Sequence, residues 1–195
     1  MIETLSAALA RRVSRRLERA QRAAVLVPIV VGGGGDLGLL LTRRTEDLPS
    51  HPGQVAFPGG LVRSGEEDPA RTALREAEEE IGLQPERVRV LGLLDDLTAR
   101  ADVLAVTPVV GAIADLPPLR PQTKEVARIF TIPFTDLVQP GRWRSKIETR
   151  AGREQRIYFF EHEGEVLWGL SARITLQLLE LAGLGVPAKP APPGV

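Results

Sequence analysis

The chain of 195 residues contains no cysteine, which excludes disulfides, thiolate metal sites and a cysteine nucleophile. Only two histidines are present, His51 and His162, so the composition gives a covalent route little support and direct attack by water is the simpler chemistry. Twenty-five basic and 25 acidic residues cancel to a formal net charge of zero. There is no global electrostatic footprint for nucleic acid or an acidic membrane. No apolar run is long enough to span a bilayer: the stretch 23 to 31 is short and interrupted by Pro28. Met1-Ile2-Glu3-Thr4 does not begin a signal peptide. The expectation is a cytoplasmic protein with neither nucleic acid nor membrane as partner.

What is present suffices for one good core. Hydrophobic residues make up 43% of the chain, and this length fits a single domain, here 1–184. From 185 to 195, Pro187, Pro190, Pro192 and Pro193 with small neighbours leave little to bury, so a loosely ordered tail is expected. Residues 2 to 22 carry Ile2, Leu5, Leu9, Val13, Leu17 and Ala20 at helical spacing, with six arginines over the remaining surface. This predicts an N-terminal amphipathic helix over 1–22 whose arginines form either a solvated outer face or a surface for phosphate or a partner.

Alternation and punctuation by glycine, proline and aspartate predict strands at 23 to 31, 37 to 43, 53 to 57, 88 to 97, 103 to 112, 125 to 132, 143 to 149 and 155 to 161. Gly32 to Gly35 reads as a hairpin turn, since no helix pattern follows it. A helix is expected from about Ser171 to Leu181. Helices flanking a mixed sheet fit an α+β sandwich.

The most informative segment runs from Gly59 to Leu83. A glycine-rich loop precedes a helix that Asp68 can cap, Pro69 can open and Gly82 can stop. Ala70, Ala73, Leu74, Ala77 and Ile81 form its apolar stripe, and Glu76, Glu79 and Glu80 are expected to face away from it. Positions three and four apart on a helix are neighbours at roughly 5–6 Å between Cβ atoms. Carboxylates that close raise one another's pKa unless a cation sits among them. A hard ion such as Mg2+ suits this oxygen donor set, completing its shell with waters and phosphate oxygens. The plain alternative is a solvated acidic face.

Arg75-Glu76-Ala77-Glu78-Glu79-Glu80-Ile81-Gly82-Leu83 resembles the second half of the Nudix box of the Nudix hydrolases: Arg-Glu-apolar-any-Glu-Glu-any-Gly-apolar. In the first half the loop carries one extra residue. Glu67 keeps the box spacing to Arg75, whereas Glu66 keeps the spacing to Gly60, so either could take the loop role and Glu67 is the expected one. Upstream, Leu40-Leu41-Thr42-Arg43-Arg44-Thr45-Glu46-Asp47-Leu48-Pro49-Ser50-His51-Pro52-Gly53-Gln54-Val55-Ala56-Phe57-Pro58-Gly59-Gly60 is similar to the extra motif of the coenzyme A pyrophosphatase branch of that family. The stretch offers Arg43, Arg44, His51, Gln54, Gly59 and Gly60 as substrate contacts, arginine suiting phosphate through paired hydrogen bonds. Its plain alternative is a hairpin with solvated polar residues.

The resemblance implies the Nudix α/β/α fold with a mixed sheet. It also implies Mg2+ or Mn2+ held by Glu76, Glu79, Glu80 and Glu67, and hydrolysis of a coenzyme A-type diphosphate to 3′-phospho-AMP and 4′-phosphopantetheine. Arg75, Glu76, Glu79 and Glu80 are then the catalytic set, with Arg75 orienting the carboxylates. A Nudix enzyme for ADP-ribose or a dinucleotide, and a non-catalytic nucleotide-binding module, are the alternatives. Glu125 is a candidate water-activating group, with a structural role at a strand edge as its alternative. Trp168 can stack an adenine or pack at a helix start. Asp95, Asp96 and Asp102 can add acidic ligands or serve turns. The oligomeric state is open.

Overall fold

A computed structural model describes residues 1–99, 103–139, 141–150 and 153–185. The proline-rich tail from 186 onward, and Asp102, lie outside the described residues. In chain order the elements are α1 (Ile2–Arg11), β1 (Gln21–Val31), β2 (Leu37–Arg44), β3 (Val55–Ala56), β4 (Gly59–Leu61), α2 (Pro69–Ile81), β5 (Arg89–Leu93), β6 (Leu97–Ala99) and β7 (Leu104–Ile113). They continue with β8 (Val126–Pro133), α3 (Phe134–Leu137), β9 (Trp143–Arg150), β10 (Arg153–His162), β11 (Glu165–Trp168) and α4 (Gly169–Leu181).

The main sheet has the path β3-β2-β1-β7-β5, with β4 also pairing β1, β6 pairing β7 and β8 pairing β2. β1 and β7 run parallel over ten registered pairs, from Gln21 opposite Leu104 to Val30 opposite Ile113. The other pairings are antiparallel, so the sheet is mixed. Period-two alternation along β1 divides its side chains between two cores. Val27 and Ile29 join Leu39 and Leu41 beneath Leu5 and Leu9 of α1 and Ile174, Leu178 and Leu179 of α4. Ala24 and Leu26 join Leu40 and Val109 beneath Ala73, Ala77 and Ile81 of α2. Helices therefore cover both faces, which is why β7 is buried at every position. This is the expected α/β/α sandwich. The strands β9, β10 and β11 form a separate antiparallel sheet. Among the described residues no helix is long and apolar enough to cross a membrane.

The N-terminal helix is shorter than its periodicity predicts. It ends at Arg11, and Arg12 is already extended. Val13, expected on the apolar side, is 97% exposed. The next residues run as a strap along the β5–β6 connection because two aspartates there bind the strap in its extended form. Asp95 accepts from the Arg15 backbone N–H at 2.8 Å and from the Arg12 guanidinium. Asp96, completely buried, accepts from the Leu17 N–H at 2.9 Å, from Thr107 Oγ1 at 2.7 Å and from Arg16. Arg12 and Arg16 are thus latch residues and not a solvated face, and Asp95 and Asp96 are taken up by the latch.

Candidate active site

β4 lies antiparallel to β1, with Gly59 opposite Val25 and Gly60 opposite Ala24. It delivers the chain into the loop before α2. The helix begins as the sequence predicts: Asp68 accepts from the Ala70 N–H at 2.9 Å and Pro69 occupies the first turn. It ends at Gly82, whose φ of 69° is left-handed. Thr72, Ala73, Ala77, Glu80 and Ile81 are its buried residues.

Arg75 organises the loop. Its Nε donates to Glu66 Oε1 at 2.8 Å, its Nη2 to Glu66 Oε2 at 3.2 Å, and its Nη1 to Glu76 Oε1 at 2.7 Å and Glu79 Oε2 at 3.3 Å. Glu66 also accepts from Thr72 Oγ1 at 2.7 Å and from the Arg63 N–H at 3.0 Å. The Arg75 hydrogen bond, then those from Arg63 and Thr72, hold the Glu66 carboxyl well below its ordinary range. Glu67 is exposed and makes no hydrogen bond or ion pair among the described residues. The loop carboxylate tied into the helix is therefore Glu66 and not the expected Glu67: the extra loop residue falls between Glu66 and the helix start. Arg63 and Thr72 were not foreseen. A threonine one turn before Glu76 on the buried side was the available signal.

The three helix glutamates separate into different environments. Glu79 is half exposed and is claimed by Arg63 at 2.9 Å as well as by Arg75. Glu76 is mostly buried, and the Gly60 backbone comes so near it that an added Cβ would sit 2.5 Å from its carboxyl carbon. Glu80 does not face away from the core: it is only 7% exposed. Burial pushes its carboxyl up to about 8, with Glu76 and then Glu125 adding like charge against the Gly59 N–H and Arg44. The Gly59 N–H donates to Glu80 Oε2 at 3.4 Å.

The second acidic arm arrives from far along the chain. The Thr45 N–H donates to the Glu125 carbonyl at 3.0 Å, and the Gln122 N–H donates to the Glu80 carbonyl at 2.8 Å. These bonds bring the segment before β8 against both β2 and the end of α2. Arg44, at the end of β2, sits near enough to favour the ionised form of Glu80. Its Nε is buried with no hydrogen-bond partner. Among the described residues no three acidic or histidine side chains converge into a finished metal cage. Glu76 and Glu80, with Glu125 beside them, are the carboxylates the geometry offers to a cation, since like charges forced together in a partly buried site are relieved by one.

Of the remaining expected contacts, Arg43 and Gln54 line a cavity of about 440 Å3 with Gly53 and Trp168. Arg43 is paired with Glu46 at 3.2 Å. His51 is exposed with a φ of 57°, and its carbonyl accepts from the Gln54 N–H at 3.4 Å. Its imidazole makes no hydrogen bond or ion pair among the described residues.

A family model described as the NUDIX domain matches residues 20–151. The chain belongs to the Nudix family. It is 39% identical over 82% of its length to a protein of Photorhabdus laumondii, and 40% identical over 84% to one of Pectobacterium atrosepticum, in each case covering 84% of the relative. Both relatives carry the name "Uncharacterized Nudix hydrolase NudL". Among solved structures, a MutT/nudix family protein from Enterococcus faecalis matches with a TM-score of 0.56 at 15% identity, over 97% of this chain and 72% of that one. A Nudix hydrolase from M. smegmatis, RenU, matches at 0.51 and 22% identity, over 62% and 75%. These structures share the Nudix fold with the chain. As a Nudix hydrolase the protein is an enzyme acting on pyrophosphate bonds, in a family that generally uses divalent metals such as Mg2+ or Mn2+.

Proposed function

We propose that this Nudix hydrolase cleaves the diphosphate of coenzyme A or its derivatives, yielding 3′-phospho-AMP and 4′-phosphopantetheine. The observation that carries the reading is the meeting of two segments. Arg44 belongs to the stretch from Leu40 to Gly60 that resembles the coenzyme A branch; its guanidinium is near enough to Glu80 of the box helix to favour the carboxylate, and its Nε is buried without a partner. A buried guanidinium nitrogen without an acceptor is costly unless an anion completes it. A diphosphate oxygen supplies that acceptor.

Glu76 and Glu80 would hold Mg2+ or Mn2+, with Glu125 near them and Glu79 joining after release from Arg63 and Arg75. Such an ion, when bound, neutralises phosphate oxygens and lowers the pKa of a coordinated water. Arg75 keeps Glu66 and Glu76 in register, and Gly60 lets the backbone come close to Glu76 where a side chain would obstruct, while Gly59 fits tightly against Ala24 and Val25 of β1. Glu125, whose charge is felt at Glu80, would accept a proton from water entering beside it. The expected localisation is cytoplasmic and the expected partner is a small molecule.

The test is product identification by mass spectrometry with coenzyme A, ADP-ribose, NADH and a nucleoside triphosphate, with and without Mg2+ or Mn2+. Metal-dependent release of 3′-phospho-AMP and 4′-phosphopantetheine at the highest efficiency is the expected result. Turnover of another substrate alone would overturn the coenzyme A assignment. Absence of turnover with every substrate would favour a binding module.

A further inference from the structure

The cavity of about 440 Å3 between β2, β3 and β11 has a character that the phosphate chemistry does not need. Its charged lining groups are Arg43, Glu46 and Glu165, two carboxylates against one guanidinium. Arg43 is already divided between them, 3.2 Å from Glu46 Oε1 and 3.8 Å from Glu165 Oε1. Glu165 is 8% exposed, and the same Oε1 also receives Arg128 at 3.1 Å. The second oxygens of Glu46 and Glu165 take no hydrogen bond among the described residues. An anionic group entering here would meet a net negative lining whose one cation is committed.

The cavity also has an aromatic wall. Trp168 lines it and is held parallel to Phe159, at 7° between ring planes and 6.1 Å between centroids. Phe159 and Trp168 are registered partners across β10 and β11, so the indole is fixed by the sheet. A flat face beside two open carboxylate oxygens is complementary to a flat ligand that bears hydrogen-bond donors.

We infer that this cavity holds the nucleobase of the substrate, stacked on Trp168, with an exocyclic amino group donating to Glu46 and Glu165. The inference rests on the reading of the chain as a hydrolase of a nucleoside diphosphate derivative. The base lies on the Arg43 side of β2. The next residue, Arg44, serves the carboxylates of α2, so the sugar and diphosphate pass around the end of that strand. Nucleobases with an exocyclic amine are favoured over uracil, and any phosphate carried on the ribose stays outside.

Two tryptophans are present, and Trp143 is 2% exposed with its Nε1 bonded to the Leu137 carbonyl. Ligand-dependent quenching of intrinsic fluorescence therefore reports Trp168. The experiment titrates the full chain, without metal, with AMP, UMP and 4′-phosphopantetheine, and repeats AMP by calorimetry on Glu46→Ala and Trp168→Phe. AMP should quench and UMP should bind at least about tenfold more weakly. Glu46→Ala should weaken AMP by about tenfold, while Trp168→Phe should bind AMP without the signal. Quenching by 4′-phosphopantetheine and not AMP, equal binding of AMP and UMP, or no quenching by any ligand would overturn the inference. If AMP quenches as expected while the product assay finds a substrate other than coenzyme A, the substrate assignment falls and the base site stands.

Discussion

Arg75 Nε and Glu66 Oε1 lie 2.8 Å apart across nine residues of chain, and this contact closes the loop onto the helix that follows it. The same guanidinium reaches Glu76 and Glu79, so the arginine couples loop shape to carboxylate position.

Replacing Glu66 and Glu67 separately should give opposite results. Glu66→Gln removes the charge that Arg75, Thr72 and the Arg63 N–H all serve, and should cut kcat/KM by at least about tenfold. Glu67→Gln should leave it within about twofold of the parent. Steady-state kinetics on the two variants decides which glutamate the loop uses; equal losses would contradict the assignment.

Gly60→Ala tests the close backbone approach. Its Cβ would lie 2.5 Å from the carboxyl carbon of Glu76, the far end of a side chain that can swing away. Thermal unfolding should therefore change little, while Mn2+ affinity, read by electron paramagnetic resonance, should fall by about tenfold. Glu76→Gln should be the more severe change, costing at least about a hundredfold in rate with the fold kept.

Glu80 makes metal-free stability depend on pH. Its carboxyl is raised from 4.5 to about 8, so across that window the unfolded chain ionises while the folded one keeps its proton. The folded state binds more protons there, and its stability is fully present below the lower value and is lost as pH rises through the upper one. In the presence of a chelator, Tm should drop on the order of 5 °C between pH 5 and pH 8, and Glu80→Gln should remove that portion of the slope. Saturating Mn2+ should flatten the same slope, because a bound cation favours the carboxylate. Glu66 has the opposite sign, its contribution being lost only at acid pH below that window.

Asp96→Ala should be among the most destabilising substitutions in the chain. It strands Arg16 and Thr107 and frees the strap at Leu17. A loss of about 3 kcal/mol in denaturant unfolding is expected, with the curve reporting the midpoint shift.

The box helix was legible because its cap, its first-turn proline and its glycine stop are local signals that nothing in the fold overrides. The strands of the two-sided core were legible for a related reason, since period-two burial is written directly into residues such as Ala24, Leu26, Val27 and Ile29. β4 and β11 were not. Three or four residues carry too little periodicity, and Gly59–Leu61 pairs with β1 because the chain is led there from β3. The burial of Glu80 was hidden as well. Ala77 and Ile81 share its side of α2, and both Gly59 and the segment carrying Gln122 and Glu125 come against it from elsewhere in the chain. The arginines of 12 to 16 read as helical because their partners stand about eighty residues away.

The family match begins at residue 20, whereas the partners of the buried Asp96 carboxylate include Arg16 and the Leu17 N–H. The edge of the family match and the edge of the folded unit are therefore different lines on this chain. A version trimmed to residues 20–151 would keep the whole box and Glu125, yet would lose the Arg16 and Leu17 partners of the buried Asp96 carboxylate together with α4, whose Ile174, Leu178 and Leu179 fill the core on one face of the sheet. Loss of activity in such a version would be a failure of the scaffold and would say nothing about the carboxylates of the box helix.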